Sequence, residues 1–198
     1  KPKIFIHAAG LSRPMDIHIK NISKSINLNI IGTANVTKVC ARFNIKLVYF
    51  STCYVYPGIK GNYNEEDSLL PINNYAWSKL GGECAVQLYK NSLILRLSMT
   101  EKPFIHQEAF IDFKTNFIFH DEVAKMLIKL IPYRGIVNVG GKSQSVYNFA
   151  IKGNKGIKKS YAQKVLAKNS PLNPSMNINK LKKILKSKNL LTNVGDEG

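Results

Sequence analysis

Tyr75 and Lys79 are the residues best placed to do chemistry, because they stand four apart in the segment Tyr75-Ala76-Trp77-Ser78-Lys79. On a helix, positions i and i+4 share one face, so a phenol and an ammonium at this spacing can point the same way. A tyrosine at its reference pKa of about 10 is a poor proton donor or acceptor at neutral pH. A neighbouring positive charge favours the phenolate and lowers that pKa. The pair then makes a tunable acid–base group beside a carbonyl or an alcohol. Spacing alone is a weak signal, since nine tyrosines in a lysine-rich chain make about one such coincidence expected. A second copy, Tyr56 to Lys60 (YPGIK), does occur. Pro57 and Gly58 put that copy in a turn, where i and i+4 do not face each other. The residues around Tyr75 are compatible with a helix, so context selects Tyr75.

Such a pair needs a frame. Ile4 to His7 is apolar and β-prone and runs into Ala8, Ala9 and Gly10, which reads as a buried parallel strand ending where a backbone must be approached closely. From Asp16 to about Phe43 the apolar residues Ile22, Ile26, Ile30, Val36, Val39 and Cys40 recur at spacings near three and four, a helical period. Lys46 to Phe50 (KLVYF) is a second strand, closing on Ser51 and Thr52. Turn residues Pro57, Gly58 and Gly61 and an acidic segment ending at Asp67 follow. A second helix is expected from Asn73 or Asn74, past Glu83, towards Tyr89, and Leu93 to Leu97 (LILRL) is a third strand. This alternation with short connections predicts an α/β fold with a parallel sheet flanked by helices. In such sheets ligands sit beyond the carboxyl ends of the strands, which directs attention to Ala8 to Gly10, Ser51 to Tyr54, and Ser98 onward. From there the Thr52 hydroxyl can hydrogen-bond the same substrate oxygen as Tyr75.

Beyond Met99 the pattern loosens. Residues 101–114 read as a loop, Asn116 to His120 as strand-like, and Asp121 to Ile131 as a helix with Asp121 as its N-cap. Gly135 to Gly141 reads as a short strand, Val146 to Ala150 and Ile178 to Lys186 as helices, and the final LLTNVGDEG as a frayed tail.

The formal net charge of +17 raises the question of nucleic acid. After Glu122 no acidic residue appears until Asp196, while lysines continue throughout. They are spread among Asn and Ile with few aromatics between, which makes no platform for stacked bases. The reading is a solvated basic surface able to attract a phosphate-bearing ligand, with nucleic acid not the expected partner. No apolar run approaches the roughly 20 residues needed to cross a bilayer, and the N-terminus does not read as a signal peptide. Cys40, Cys53 and Cys84 are far apart and show no metal-ligand spacing, which fits a reducing compartment. A cytoplasmic protein with no membrane segment and no metal is expected.

IHAAG, INLNIIGTANV, YFSTCYVYPG, NYAWSKLGGE and LILRLS follow one another in the order found in extended short-chain dehydrogenases/reductases, the superfamily of NAD-dependent epimerases and dehydratases. The chain resembles them over most of residues 1–100, with a looser likeness (FHDEVAKMLIKLI, GIVNVGG) to about residue 150. The STCYVYPG block, the acidic loop and PINNYAWSKLGGE are similar to the dTDP-4-dehydrorhamnose reductase branch. The resemblance implies a Rossmann-like doubly wound parallel sheet lacking its first strands, with a small C-terminal substrate-binding lobe. Residues 1–100 would be the C-terminal part of an NAD(P)-binding domain, 101–190 the lobe with elements returning to the sheet, and 191–198 a tail.

The resemblance also implies roles. Tyr75 donates a proton to the sugar C4 carbonyl as hydride arrives from NADPH or NADH. Lys79 lowers the pKa of Tyr75 and holds the nicotinamide ribose, and Thr52 hydrogen-bonds the reacting oxygen. Ala8, Ala9 and Gly10 form the strand-end floor under the cofactor, with Ser51 also counted as cofactor-facing. Asn29 supports the site from its helix, and Arg96 matches a position near it. Cys53 departs from the pattern, since that branch carries aspartate there. Cys53 and Tyr54 also cannot do the work of the Asp-Glu pair of 4,6-dehydratases, so dehydration is not expected. The glycine-rich turn that holds the cofactor pyrophosphate in this family is absent upstream of Gly10. The chain is therefore expected to be part of a longer protein, to expose apolar sheet surface, and to bind NAD(P) poorly alone. The implied activity is reduction of a nucleotide-linked 4-keto-6-deoxy sugar with NADP or NAD as cofactor, with a homodimer left open. A sugar epimerase, which consumes no net cofactor, and a non-catalytic regulatory protein resembling the β subunit of methionine adenosyltransferase are the alternatives.

Overall fold

In the computed structural model, which describes residues 1–166 and 170–187, strand and helix alternate along the first hundred residues as the periodicities require. The chain runs β1 (Ile4–His7), α1 (Ile17–Lys20), α2 (Ile22–Ser25), a π-helical segment (Ile26–Ile31), α3 (Gly32–Arg42), β2 (Lys46–Thr52), a 3-10 turn (Cys53–Val55), α4 (Asn74–Gln87) and β3 (Ser92–Leu97). There follow β4 (Met99–Thr100), β5 (Glu108–Phe110), β6 (Lys114–Thr115), β7 (Ile118–Phe119), α5 (His120–Leu130) and β8 (Gly135–Val139). The last described elements are β9 (Gln144–Ser145), α6 (Val146–Ala150), β10 (Lys158–Ser160), α7 (Ala162–Val165) and α8 (Asn179–Lys186). The tail expected at 191–198 lies outside the described residues.

Four strands form one parallel sheet in the order β1-β2-β3-β8. Successive side chains on a strand point to opposite faces, so each strand feeds two cores. Leu47, Tyr49 and Ile94 pack with Cys40 of α3 and Val86 of α4. Val48, Leu93, Leu95 and Val137 pack with Val123 and Leu130 of α5 and Leu181 and Ile184 of α8. Helices thus cover both faces, the arrangement that makes a nearly continuous apolar run such as KLVYF stable as a strand. The fold is Rossmann-like α/β. No helix among the described residues is long and apolar enough to cross a membrane.

β1 departs from the expected buried strand. It pairs with β2 on one side only, and Ile4, Phe5 and Ile6 are each about two-fifths exposed; only His7 is buried. Here the apolar sequence is right for a strand while its cover is missing.

The long helix expected over residues 16–43 is broken. Asn21 leaves the helical region (φ −139°, ψ 75°), and its side chain accepts a hydrogen bond from Lys24 N at 2.9 Å, starting a new helix. A side-chain amide competing with the backbone in this way is what makes asparagine a cap rather than a helix interior residue. The helix expected from Asp121 begins one residue earlier. Phe119 is the N-cap, and the Glu122 carboxylate accepts from Phe119 N at 3.0 Å. Asp121 lies inside the first turn, where its charge suits the positive end of the helix. The presumed loop 101–114 contains β5, paired in parallel with β10, and the segment 116–120 is a strand only over β7.

α4 is pressed onto the π-helical segment at Gly82. A Cβ there would lie 2.5 Å from the Asn29 carbonyl oxygen and 2.8 Å from the Tyr49 hydroxyl. Gly82→Ala gains about 1 kcal/mol of helix propensity. The displaced backbone outweighs that gain, since overpacking costs about 1–3 kcal/mol before any shift of the active helix is counted. A lower denaturant midpoint for Gly82→Ala is the expected outcome, and a raised midpoint would show that the contact relaxes freely.

Candidate functional site

α4 begins in a side-chain cap. Asn73 Oδ1 accepts from Ala76 N at 2.8 Å, which fixes the first turn and with it Tyr75; Lys79 follows one turn later. Asn74 Nδ2 donates to the His18 carbonyl at 3.2 Å, tying this helix start to α1. Asn29 ties it to the loop after β1. The fully buried Asn29 amide accepts from Leu11 N at 2.7 Å and donates to Leu11 O and to Ser78 Oγ, each at 2.8 Å. Ser78 in turn donates to the Tyr75 carbonyl at 2.7 Å. All of the polar atoms of Asn29 are used in this latch, so its part is to hold the site together.

Lys79 is buried, with Nζ 4.3 Å from the centroid of the Tyr49 ring, a cation–π contact. Tyr49 also donates its hydroxyl to the Lys79 carbonyl at 3.0 Å. Gly10 faces the ammonium: a Cβ at that position would stand 3.6 Å from Lys79 Nζ and 3.1 Å from Asn29 Oδ1. The ammonium makes no hydrogen bond or ion pair among the described residues, so its donors face the space beside Gly10. Burial lowers the Lys79 pKa to about 8, with the Glu83 carboxylate pulling upward. His7, below it on β1, is lowered by burial and by the Lys79 charge.

Tyr75 is partly exposed, and its ring lies 5.3 Å from that of His18. The expected lowering of its pKa is reversed here. Burial, reinforced by Cys53, pushes the phenol up to about 12, against opposition from the Thr52 hydroxyl and the Arg13 charge. Desolvation of the phenolate outweighs the Arg13 charge, and Lys79, from which the lowering was expected, is not among the groups that move this pKa. At neutral pH Tyr75 therefore holds its proton firmly.

Thr52 ends β2 and accepts from Tyr54 N at 3.3 Å, capping the turn that follows. Cys53 is buried, and its thiol is pushed up to about 11 by burial, against the hydroxyls of Ser98, Thr115 and Thr52. Ala8, Ala9 and Gly10 form an exposed strand end. Ala8 also borders a cavity of about 230 Å³ shared with Phe50, Met99 and His120. That cavity lies on the α5 face of the sheet, whereas Lys79 belongs to the α4 face; the geometry around Gly10 is the better guide to the chemistry.

Two expected site residues have their side chains engaged by Glu83. Ser51 donates to Glu83 Oε2 at 2.6 Å inside the core, so its hydroxyl is turned away from the strand-end floor. Arg96 is buried in an ion pair with Glu83 (Nη2 to Oε1, 2.6 Å) and donates to the Tyr56 hydroxyl at 2.8 Å. Its neighbours are structural. The Tyr56–Lys60 copy of the spacing is used differently: Tyr56 donates to Asn138 Oδ1 at 2.8 Å and stacks on Tyr63. Three contributors escaped the sequence reading. Glu83 carried a usable signal, being four residues after Lys79; His18, against Tyr75, carried none, and Arg13 reaches the site only through the fold, paired with Glu101 at 2.7 Å.

The titrations predict a dome in stability. Lys46 and Lys79 titrate near 8 when folded, so between there and their unfolded value of 10.5 the unfolded chain binds more protons and stability rises with pH. Tyr56 and Tyr75, near 12, keep protons that the unfolded chain loses at 10, so stability falls again above that pH. Urea midpoints are expected to climb from pH 7 to a maximum at about pH 9–10 and then to decline. A flat profile would contradict the burial of these groups.

Comparison with known proteins places this arrangement. The profile of the RmlD substrate binding domain matches residues 1–103, just over half of the chain. The β subunit of methionine adenosyltransferase 2 from Xenopus laevis is 36% identical over 98 residues, covering 49% of this chain and 29% of that protein. The chain thus spans less than a third of the length of the curated relatives it matches. A hypothetical dTDP-4-dehydrorhamnose reductase from Sulfolobus tokodaii superposes with a TM-score of 0.81 at 25% identity, over 94% of this chain and 75% of that one. The dTDP-4-dehydrorhamnose reductase of Bacillus anthracis in complex with NADP gives 0.79 at 25% identity, over 92% of this chain and 74% of that one. A matching profile over the residues that build the site, on a fold shared with these reductases, shows that the chain belongs to the RmlD substrate binding domain family, that of dTDP-4-dehydrorhamnose reductase.

Proposed function

We propose that the protein carrying this chain is an NAD(P)H-dependent oxidoreductase that reduces a nucleotide-linked 4-keto-6-deoxy sugar, with Thr52, Tyr75 and Lys79 at its centre. One observation carries the reading: the Tyr75 phenol and the buried Lys79 ammonium, which makes no hydrogen bond among the described residues, stand one helical turn apart on α4, with the ammonium facing Gly10 just after β1. Glycine at position 10 leaves the approach to the Lys79 ammonium clear, since a Cβ there would stand 3.1 Å from Asn29 Oδ1 and 3.6 Å from Lys79 Nζ, and a nicotinamide ribose would be held by that ammonium. When bound, the reduced cofactor supplies the hydride that becomes the C4 hydrogen of the alcohol. Lys79 donates to the ribose hydroxyls and presents positive charge to the reaction. Thr52 donates a hydrogen bond to the sugar carbonyl oxygen and orients it. Tyr75 gives that oxygen its proton as the carbonyl becomes an alcohol, and solvent later restores the proton.

The test is incubation of the full-length protein with NADPH or NADH and a dTDP-linked 4-keto-6-deoxy sugar. Oxidation of one cofactor per alcohol formed is the expected result. Interconversion of sugars with no net oxidation points to an epimerase.

A second reading rests on identity. The methionine adenosyltransferase 2 β subunit of Xenopus laevis is 36% identical over 98 residues, a longer match than the 71 residues over which a probable low-salt glycan biosynthesis reductase of Haloferax volcanii is 44% identical. On that reading the protein binds a methionine adenosyltransferase catalytic chain and turns over no sugar. Stable co-elution with that chain, together with no cofactor oxidation, would select it.

A further inference from the structure

The block around Lys79 ends in Gly81-Gly82-Glu83, and Glu83 is the only acid fully buried among the described residues. It lies one turn after Lys79 on the same face of α4. Its carboxylate accepts from Ser51 Oγ at 2.6 Å, from Arg96 Nη2 at 2.6 Å and from Arg96 Nε at 3.2 Å. Ser51 immediately precedes Thr52 on β2. One carboxylate therefore joins the helix bearing Tyr75 and Lys79 to the strand bearing Thr52.

A purely structural strut has little need of charge at this position. Buried ion pairs are often no more stable than apolar replacements of similar volume, so a strut could dispense with Glu83 and Arg96 together. What the charge adds is its field on Lys79. Around that ammonium stand His7 from β1, Tyr49 from β2 and Glu83 from its own helix, with Asn29 of the π-helical segment bordering the same space at Gly10. Of these Glu83 alone is anionic, and its partner Arg96 approaches from β3.

We propose that Glu83 is a positioning residue for the Tyr75–Lys79 pair: its carboxylate locks α4 to the strand end at Thr52 and keeps the buried Lys79 protonated. This deepens the reductase reading, and only its consequence for turnover rests on that reading.

The test is a lysine titration followed by NMR on the full-length protein carrying 13Cε-labelled lysine, with Lys79 assigned through Lys79→Met. Wild type, Glu83→Gln and Glu83→Gln/Arg96→Met are compared. The Lys79 midpoint is expected to fall by about one pH unit, tenfold in acid dissociation, in both variants. An unchanged midpoint in either folded variant overturns the proposal. Glu83→Gln leaves Arg96 uncompensated and is at risk of unfolding, whereas the double variant removes both charges together. Failure of both to fold makes Glu83 a residue of the fold alone and equally overturns it. Cofactor oxidation is read separately. A shifted Lys79 in a protein that oxidises no NADPH leaves the role of Glu83 standing and removes the reductase reading.

Discussion

Tyr75→Phe is expected to lower reduction of the sugar about 100- to 10,000-fold, the contribution of a positioned general acid. Folding should be little affected, because the change removes only the contact of the phenol with the Thr52 hydroxyl, while the ring, retained in phenylalanine, keeps its contact with His18. Loss of turnover with an unchanged unfolding midpoint therefore isolates the proton. The pH profile adds a second signature. With Tyr75 near 12 and Lys79 near 8, the limb that falls on the alkaline side should follow loss of the Lys79 charge, well before the phenol ionises. Retained turnover in Tyr75→Phe would remove this residue from the mechanism.

The largest effect on stability is expected from Arg96→Ala. Arg96 and Glu83 are 2% and 0% exposed, so removing the guanidinium strands a carboxylate in the core. It also removes donors from the Tyr56 hydroxyl and the Glu65 carbonyl. Breaking one side of a buried pair costs about 3–5 kcal/mol, a large part of the stability of an ordinary domain. Arg96→Lys keeps the charge and loses the forked geometry, so an intermediate loss is expected. A change of less than about 1 kcal/mol in chemical denaturation of Arg96→Ala would mean that water reaches Glu83 freely.

The frame of the site was legible because it rests on short-range rules. KLVYF and LILRL are short apolar, β-prone runs bounded by turn residues and do form doubly covered strands, and NNYAWSKLGGE carries both its own cap and the i, i+4 pair. The decoy at Tyr56 was separable by its Pro-Gly turn, and Gly58 does take a positive φ of 72°. What escaped depends on partners distant in sequence. Asn21 breaks a helical pattern whose apolar spacing runs straight through it, since an amide that caps leaves no mark on periodicity. Ser51 and Arg96 occupy strand positions that could serve either a ligand or the core. Glu83 decides for the core, and only the packed helix reveals that. The rise of the Tyr75 pKa has the same origin: the charge that acts on it is Arg13, distant in sequence, and burial is a property of the whole fold.

The central claim is that hydride reaches C4 of the sugar while Tyr75, beside Lys79, gives its proton to the oxygen on that carbon. Its most direct measurement is the fate of deuterium from the transferable C4 position of labelled NADPH, followed by mass spectrometry of the sugar product formed by the full-length protein. The account predicts one deuterium at sugar C4 for each NADP released, with no label transferred by Tyr75→Phe. Sugar recovered unlabelled while the protein holds reduced cofactor would contradict it.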